Sequence, residues 1–207
     1  MSLQENGEIT AYSKLPTDFT IFIPYTMTKH LTNNGTTYLI RQADENDAEN
    51  IIAYSKTVFA STDQVLTLPE EYNISVADEK TWISNINNSQ NSKLIIATLD
   101  EQLIGFLFFI GQQKAKNAHV GELGVNVHPG YRAMGIGRAL METIIKWAAD
   151  HNTIEKITLQ VFATNHNAIK LYQALGFKEE GRFVKAIKQK NGEYVDVVQM
   201  YLFVGSF

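Results

Sequence analysis

Residues 125–139, Val-Asn-Val-His-Pro-Gly-Tyr-Arg-Ala-Met-Gly-Ile-Gly-Arg-Ala, constrain the fold of this chain more than any other stretch. Leu123, Val125 and Val127 alternate as on a strand, Pro129-Gly130 turns the chain, and Gly135-Ile136-Gly137 opens a long amphipathic helix. Strand, turn and helix in such close succession call for an α/β layering. The first N–H groups of a helix have no intrahelical acceptor, and the helix dipole adds partial positive charge there. Such a turn suits a phosphate, and glycines let the ligand approach the main chain. No Gly-Lys-Ser/Thr follows, so this is not a nucleoside-triphosphate loop, and its Gly-x-Gly spacing does not match the dinucleotide fingerprint. On its own the glycine pair could equally serve helix packing.

A second segment changes the balance. Residues 159–177 read Leu-Gln-Val-Phe-Ala-Thr-Asn-His-Asn-Ala-Ile-Lys-Leu-Tyr-Gln-Ala-Leu-Gly-Phe. In this order and spacing the two segments resemble the two halves of the acyl-CoA site of the GNAT superfamily of N-acetyltransferases. The first resembles the family's Arg/Gln-x-x-Gly-x-Gly pyrophosphate loop, the second its Asn-x-x-Ala-Ile-x-Leu-Tyr-x-x-x-Gly-Phe helix, and the likeness spans roughly residues 36 to 204. It implies an α/β fold with a mixed, mostly antiparallel sheet, flanked by helices and splayed where acetyl-CoA enters as co-substrate, with no metal.

The resemblance also implies roles. The loop from Arg132 through Ala133 carries the cofactor site, with main-chain N–H groups of Met134, Gly135, Ile136, Gly137, Arg138 and Ala139 receiving the pyrophosphate and Arg132 and Arg138 adding charge. Backbone groups of Val125, Asn126 and Val127 fall to the pantetheine arm and the thioester carbonyl, where N–H donors would stabilise a developing oxyanion. Asn165 is the matching helix-start asparagine and a cofactor contact. Tyr172 stands where the family's acid tyrosine stands and would protonate the departing thiolate. An alkylammonium acceptor of pKa near 10.4 costs roughly 4.6 kcal/mol to deprotonate at pH 7. Glu122, on the strand face of Gly124 and Asn126, is the candidate base; a solvated strand carboxylate is the plainer alternative. Protein-acetylating relatives often carry Glu where this chain has Gln160, and a glutamine cannot act as base.

Composition fits without deciding. The 207 residues are enough for one domain with a full core; 44% are hydrophobic and 19% charged, an ordinary globular mix. A net charge of −4 gives no electrostatic reason to expect nucleic acid or an anionic membrane as partner. With no cysteine there is no disulfide, thiolate nucleophile or cysteine metal site, and the five histidines lack metal spacing. His128 reads as a turn residue. The longest apolar run, Leu103 to Ile110, is too short to span a bilayer, and the first twenty residues lack a signal pattern, so a cytoplasmic location is expected.

Elsewhere the pattern alternates as an α/β domain should. Strands are expected at Thr36–Arg41, Leu94–Leu99, Leu103–Ile110, His119–Val127, Ile157–Phe162, Lys178–Ile187 and Tyr194–Phe203. Helices are expected from an Asp44 cap to Val58 with Asp47 complementing its dipole, from a Ser75 cap through Ile86, from the glycine loop to Asp150, and over Ala168–Leu175 ended by Gly176. Residues 1–35 form an extension to the acetyltransferase domain at 36–207. Within it Phe19, Ile21, Ile23 and Tyr25 alternate as an edge strand or an arm, which leaves room for a homodimer. The C-terminal Glu180-Gly181-Arg182, Asn191-Gly192-Glu193-Tyr194 and Met200 resemble bacterial acetyltransferases of free amino acids or polyamines. The expected function is acetyl transfer from acetyl-CoA to a primary amine of a small molecule. Protein or peptide N-acetylation, or a non-catalytic acyl-CoA-binding regulatory domain, are the alternatives.

Overall fold

The computed structural model describes residues 27–205. The strand expected over residues 19–25 lies outside them. Eight strands, β1 (Thr28–Leu31), β2 (Thr37–Gln42), β3 (Lys93–Leu99), β4 (Gln102–Gly111), β5 (Val120–Val127), β6 (Lys156–Phe162), β7 (Lys178–Lys188) and β8 (Tyr194–Phe203), form one sheet in the order β1-β2-β3-β4-β5-β6-β8-β7. Only β5 and β6 run parallel, which gives the mixed, mostly antiparallel sheet that the resemblance implies. The sheet begins at Thr28, ahead of residue 36, because β1 pairs with β2 along its whole length.

Strand alternation sends side chains to two helical layers. Leu94, Ile96 and Phe106 face α1 (Ala48–Ala60) and α2 (Val76–Asn88), packing on Ile51, Tyr54, Val58, Ile83 and Ile86. Ile95, Leu107, Phe109 and Leu123 face the other way, onto Ile136, Leu140, Met141 and Ile144 of α3 (Ile136–Ala149), with Tyr172 of α4 (His166–Ala174) in the same cluster. Tight turns close both hairpins. Asp100 and Glu101, at φ of 47° and 66°, make the tight two-residue turn between β3 and β4, and Gly192, at φ 87°, turns β7 into β8.

The first helix starts later than expected. Asp44 caps a short 3-10 turn at Glu45–Asp47, and α1 proper begins at Ala48. Asp47 is an anchor more than a dipole partner. Its carboxylate takes both guanidinium nitrogens of Arg41 at 2.6 and 2.7 Å and accepts the Asp44 N–H at 2.8 Å.

What positions the site is a failure of pairing. β5 and β6 stay together for three steps, Val120 with Lys156, Gly121 with Ile157 and Glu122 with Thr158. The buried Thr158 hydroxyl donates to the Gly121 carbonyl at 3.1 Å, and beyond it the strands part. β6 continues against β8 as far as Phe162, while β5 continues against β4 as far as Val127. The phenyl rings of β4 lie over the glycines of β5. A Cβ on Gly121 would sit 2.0 Å from Phe109, and one on Gly124 would sit 2.5 Å from Phe108, so neither position accepts a side chain.

Candidate active site

The parity of the β4–β5 ladder decides which main-chain groups face the opening. Gln112 N–H donates to Val120 O at one end and His128 N–H to Ile104 O at the other, so even-numbered β5 residues turn their backbone toward β4. Leu123, Val125 and Val127 therefore turn theirs toward the gap left by β6. This corrects the sequence expectation for Asn126. Its main chain belongs to the ladder, and only its side chain, on the α1–α2 face, is available.

At the mouth of the gap, the β5 chain passes through the turn Pro129–Tyr131 into α3. His128 caps that turn, its Nδ1 accepting the Gly130 N–H at 3.2 Å, so the turn role expected for it stands. Gly135 sits at φ 89° in the N-cap position of α3 and supplies no side-chain cap. By contrast, Ser75 caps α2 and Asn165 caps α4 through their side chains. The first N–H consumed within α3 is that of Ala139, donated to Gly135 O at 3.0 Å. Those of Ile136, Gly137 and Arg138 have no acceptor in the helix, so a diphosphate fits this start, and Ala139 leaves the expected donor set. Gly137 keeps the approach open: a Cβ there would already touch Val127 at 3.4 Å and Leu171 at 3.7 Å.

Both arginines, expected to add charge beside the pyrophosphate, rest on protein partners in the structure. Arg132 turns toward α1, donating through Nη2 to Ser61 Oγ at 2.8 Å and through Nε to Val127 O at 3.4 Å. That carbonyl faces the gap and has lost its strand partner, which is why the guanidinium goes there. Arg138 reaches Glu142 one turn on, at 3.5 Å and exposed.

Tyr172 is placed by α4, whose start is fixed by Asn165 Oδ1 accepting the Ala168 N–H at 3.2 Å. It is 7% exposed, packs on Phe177 with ring centres 6.0 Å apart, and makes no side-chain hydrogen bond among the described residues. Burial pushes its phenol up to about 12, so it carries its proton at any physiological pH. Glu122 lies across the sheet from it, on the α1–α2 face. It is exposed, at the last step where β5 and β6 are joined, and unpaired among the described residues. Two and four residues separate it from Gly124 and Asn126, about 7 and 13 Å along the strand. A water chain, not direct contact, would link it to the opening. Gln160 is exposed on β6.

The α1–α2 connection is closed against the turn after β6 and the β7–β8 hairpin by three ties: Gln64 to Thr164 at 2.9 Å, Asp63 O to Gln189 at 3.2 Å, and Glu70 to Lys190 at 2.8 Å. Between it and the β7–β8 hairpin lies a cavity of about 520 Å³ lined by Asp63, Glu70, Lys190 and Glu193 among others. A larger cavity, about 940 Å³, opens at the far end of the sheet beside Asn85, Asn91 and Asn152 and carries none of the groups above. Beneath the closed side, Tyr54 packs on Phe106 and His128, and its buried hydroxyl lacks a hydrogen-bond partner. Sequence reasoning missed Tyr54, Ser61 and Gln64. Their roles come from contacts between distant segments that no local pattern encodes.

An open strand beside an uncapped helix start frames the candidate site, and comparison with known proteins gives the class of the chain. The acetyltransferase (GNAT) family model matches residues 59–177. The L-amino acid N-acetyltransferase AaaT of Escherichia coli strain K12 is 30% identical over 164 residues, covering 78% of this chain and 95% of that protein. The spermidine N(1)-acetyltransferase of Vibrio cholerae is 26% identical over 60% of this chain and 70% of its own length. A GNAT-family acetyltransferase structure from Streptococcus pneumoniae superposes with a TM-score of 0.78 at 25% identity, over 81% of this chain and 99% of that one. The chain belongs to the GNAT family, and it is an acyltransferase. None of the helices among the described residues is long and apolar enough to cross a membrane.

Proposed function

We propose that this protein transfers the acetyl group of acetyl-CoA to the primary amine of a small molecule of the amino-acid or polyamine type. The observation that carries the reading is the uncapped start of α3, beside β5 main chain that β6 leaves unpaired. N–H groups of Ile136, Gly137 and Arg138 would hold the pyrophosphate. The bound thioester supplies an electrophilic acetyl carbonyl. Main-chain groups of Val125 and Val127 line the gap where that carbonyl would lie, and an N–H there stabilises negative charge as it develops on oxygen. Tyr172, neutral and buried, holds the proton that the leaving sulfur needs, which favours catalysis over binding alone. Glu122 takes the amine proton through water. Asp63 and Glu193, at the acceptor-side cavity, favour a cationic acceptor. The amino-acid and polyamine specificities of the two relatives point the same way. The test is an acceptor panel with purified protein and acetyl-CoA, following thiol release across L-amino acids, polyamines and N-terminal peptides. Release driven by amino acids or polyamines supports the reading, and release driven by peptides alone refutes the small-molecule assignment.

A further inference from the structure

The β1–β2 turn, far in sequence from every motif above, docks on the glycine loop. Asn33 N–H donates to Met134 O at 3.1 Å and Asn33 Nδ2 to Ala133 O at 3.0 Å. The turn is itself braced: Thr32 N–H reaches Thr36 O at 2.9 Å, Gly35 N–H reaches Thr32 O at 2.9 Å, and the buried Thr32 hydroxyl accepts the Thr36 N–H at 2.9 Å. Asn33 is exposed and supports no core. Across from it the loop is strained. Ala133 lies at φ 61°, a left-handed backbone that costs a residue with a Cβ roughly 1–2 kcal/mol. Gly135 is left-handed as well, and a Cβ there would press on Asn33 Oδ1 at 3.0 Å.

In a trans peptide the carbonyl and the following N–H point in opposite directions. Drawing the carbonyls of Ala133 and Met134 onto Asn33 therefore turns the N–H groups of Met134 and Gly135 away from it. Two carbonyls that would repel an anion are removed from the loop's inner side, and two donors are added next to those of Ile136, Gly137 and Arg138.

We propose that Asn33 is a positioning residue for the acetyl-CoA pyrophosphate, holding the 133–135 backbone in its donor-inward conformation; this rests on the acetyl-CoA reading above. Two variants and two donors test it. Asn33→Ala keeps its main-chain bond and loses the Ala133 contact, so the Kd for CoA by calorimetry rises about three- to tenfold, the worth of about one hydrogen bond. Asn33→Asp keeps the shape but sets a carboxylate against the loop carbonyls, so its loss exceeds that of Asn33→Ala and varies with salt. With S-acetylpantetheine, which has no pyrophosphate, kcat/KM is the same for wild type and both variants. An unchanged Kd for CoA in Asn33→Ala overturns the assignment, as does an equal loss with S-acetylpantetheine, which would mean general disruption. Failure of the wild type to bind CoA overturns the acetyl-CoA reading, and Asn33's role with it.

Discussion

Replacing Tyr172 by Phe removes one oxygen from a side chain that is 7% exposed and whose hydroxyl has no partner among the described residues. No intramolecular hydrogen bond is lost and no partner is stranded, so stability should change by less than about 1 kcal/mol. The kinetic effect is separable from that. The phenol stands at about 12, against about 8.5 for an ordinary thiol. Even to the fully departed thiolate, complete proton transfer would be uphill by about 3.5 in pKa, or roughly 5 kcal/mol, and the sulfur is far less basic before the C–S bond breaks. The proton therefore moves only as the sulfur gains charge, and the benefit falls at the weak end of general acid catalysis, about 10²-fold in kcat. Because the interaction forms only in the transition state, kcat and kcat/KM should fall together while affinity for acetyl-CoA holds. Thiol-release kinetics at saturating acetyl-CoA, with calorimetric binding and a melting curve on the same preparation, read all three. A further signature is pH. Buried Tyr172 stays protonated well above the usual tyrosine value of about 10, so wild-type kcat should show no alkaline loss from this group up to about pH 10. Turnover of Tyr172→Phe within twofold of wild type, or a change confined to KM, would refute the acid role.

Three other outcomes are expected. Gly137→Trp, whose side chain must enter a space already bounded by Val127 and Leu171, should abolish measurable CoA binding while circular dichroism stays native; retained affinity would remove the loop from the site. Glu122→Gln should slow turnover most near neutral pH and erase the acid limb of the pH–rate profile, whereas an unchanged profile places the base elsewhere. Glu79 is 2% exposed, and burial raises its pKa, so the folded state holds its proton longer than the unfolded chain. Stability is therefore fully present below the ordinary value and declines as pH rises toward the folded one. Glu79→Gln should raise the melting temperature at pH 7 and leave it unchanged near pH 3, and a lower value at pH 7 would show that the carboxylate has a stabilising partner.

Much of the architecture is legible in the chain because local chemistry marks it. Ser75 and Asn165 are capping residues followed by helical spacing, Asn191-Gly192 is a hairpin turn, and continuous apolar runs bounded by polar turns mark β3 and β4. The glycine loop is legible as a helix start for the same reason, whereas its cofactor role and that of Tyr172 are implied by the resemblance to the GNAT family. The role of Asp47 is not, because a first-turn acid looks alike whether it serves a dipole or an Arg41 pair. Nor is the ladder parity that takes Asn126 out of the gap, since parity depends on which strand lies beside β5. Asn33 and Ser61 reach the loop from 100 and 71 residues away, and contacts at such separations leave no periodicity to read.

Acetyl transfer from a thioester to an amine at the opening between β5 and β6 is the proposed activity. It is tested most directly by incubating the protein with acetyl-CoA and an L-amino acid or polyamine and measuring free thiol and N-acetylated amine in one reaction. Amine-dependent release of both in equal amounts, well above thioester hydrolysis, is the expected result. Tight CoA binding with no acetylated product from any amine in the panel would contradict it.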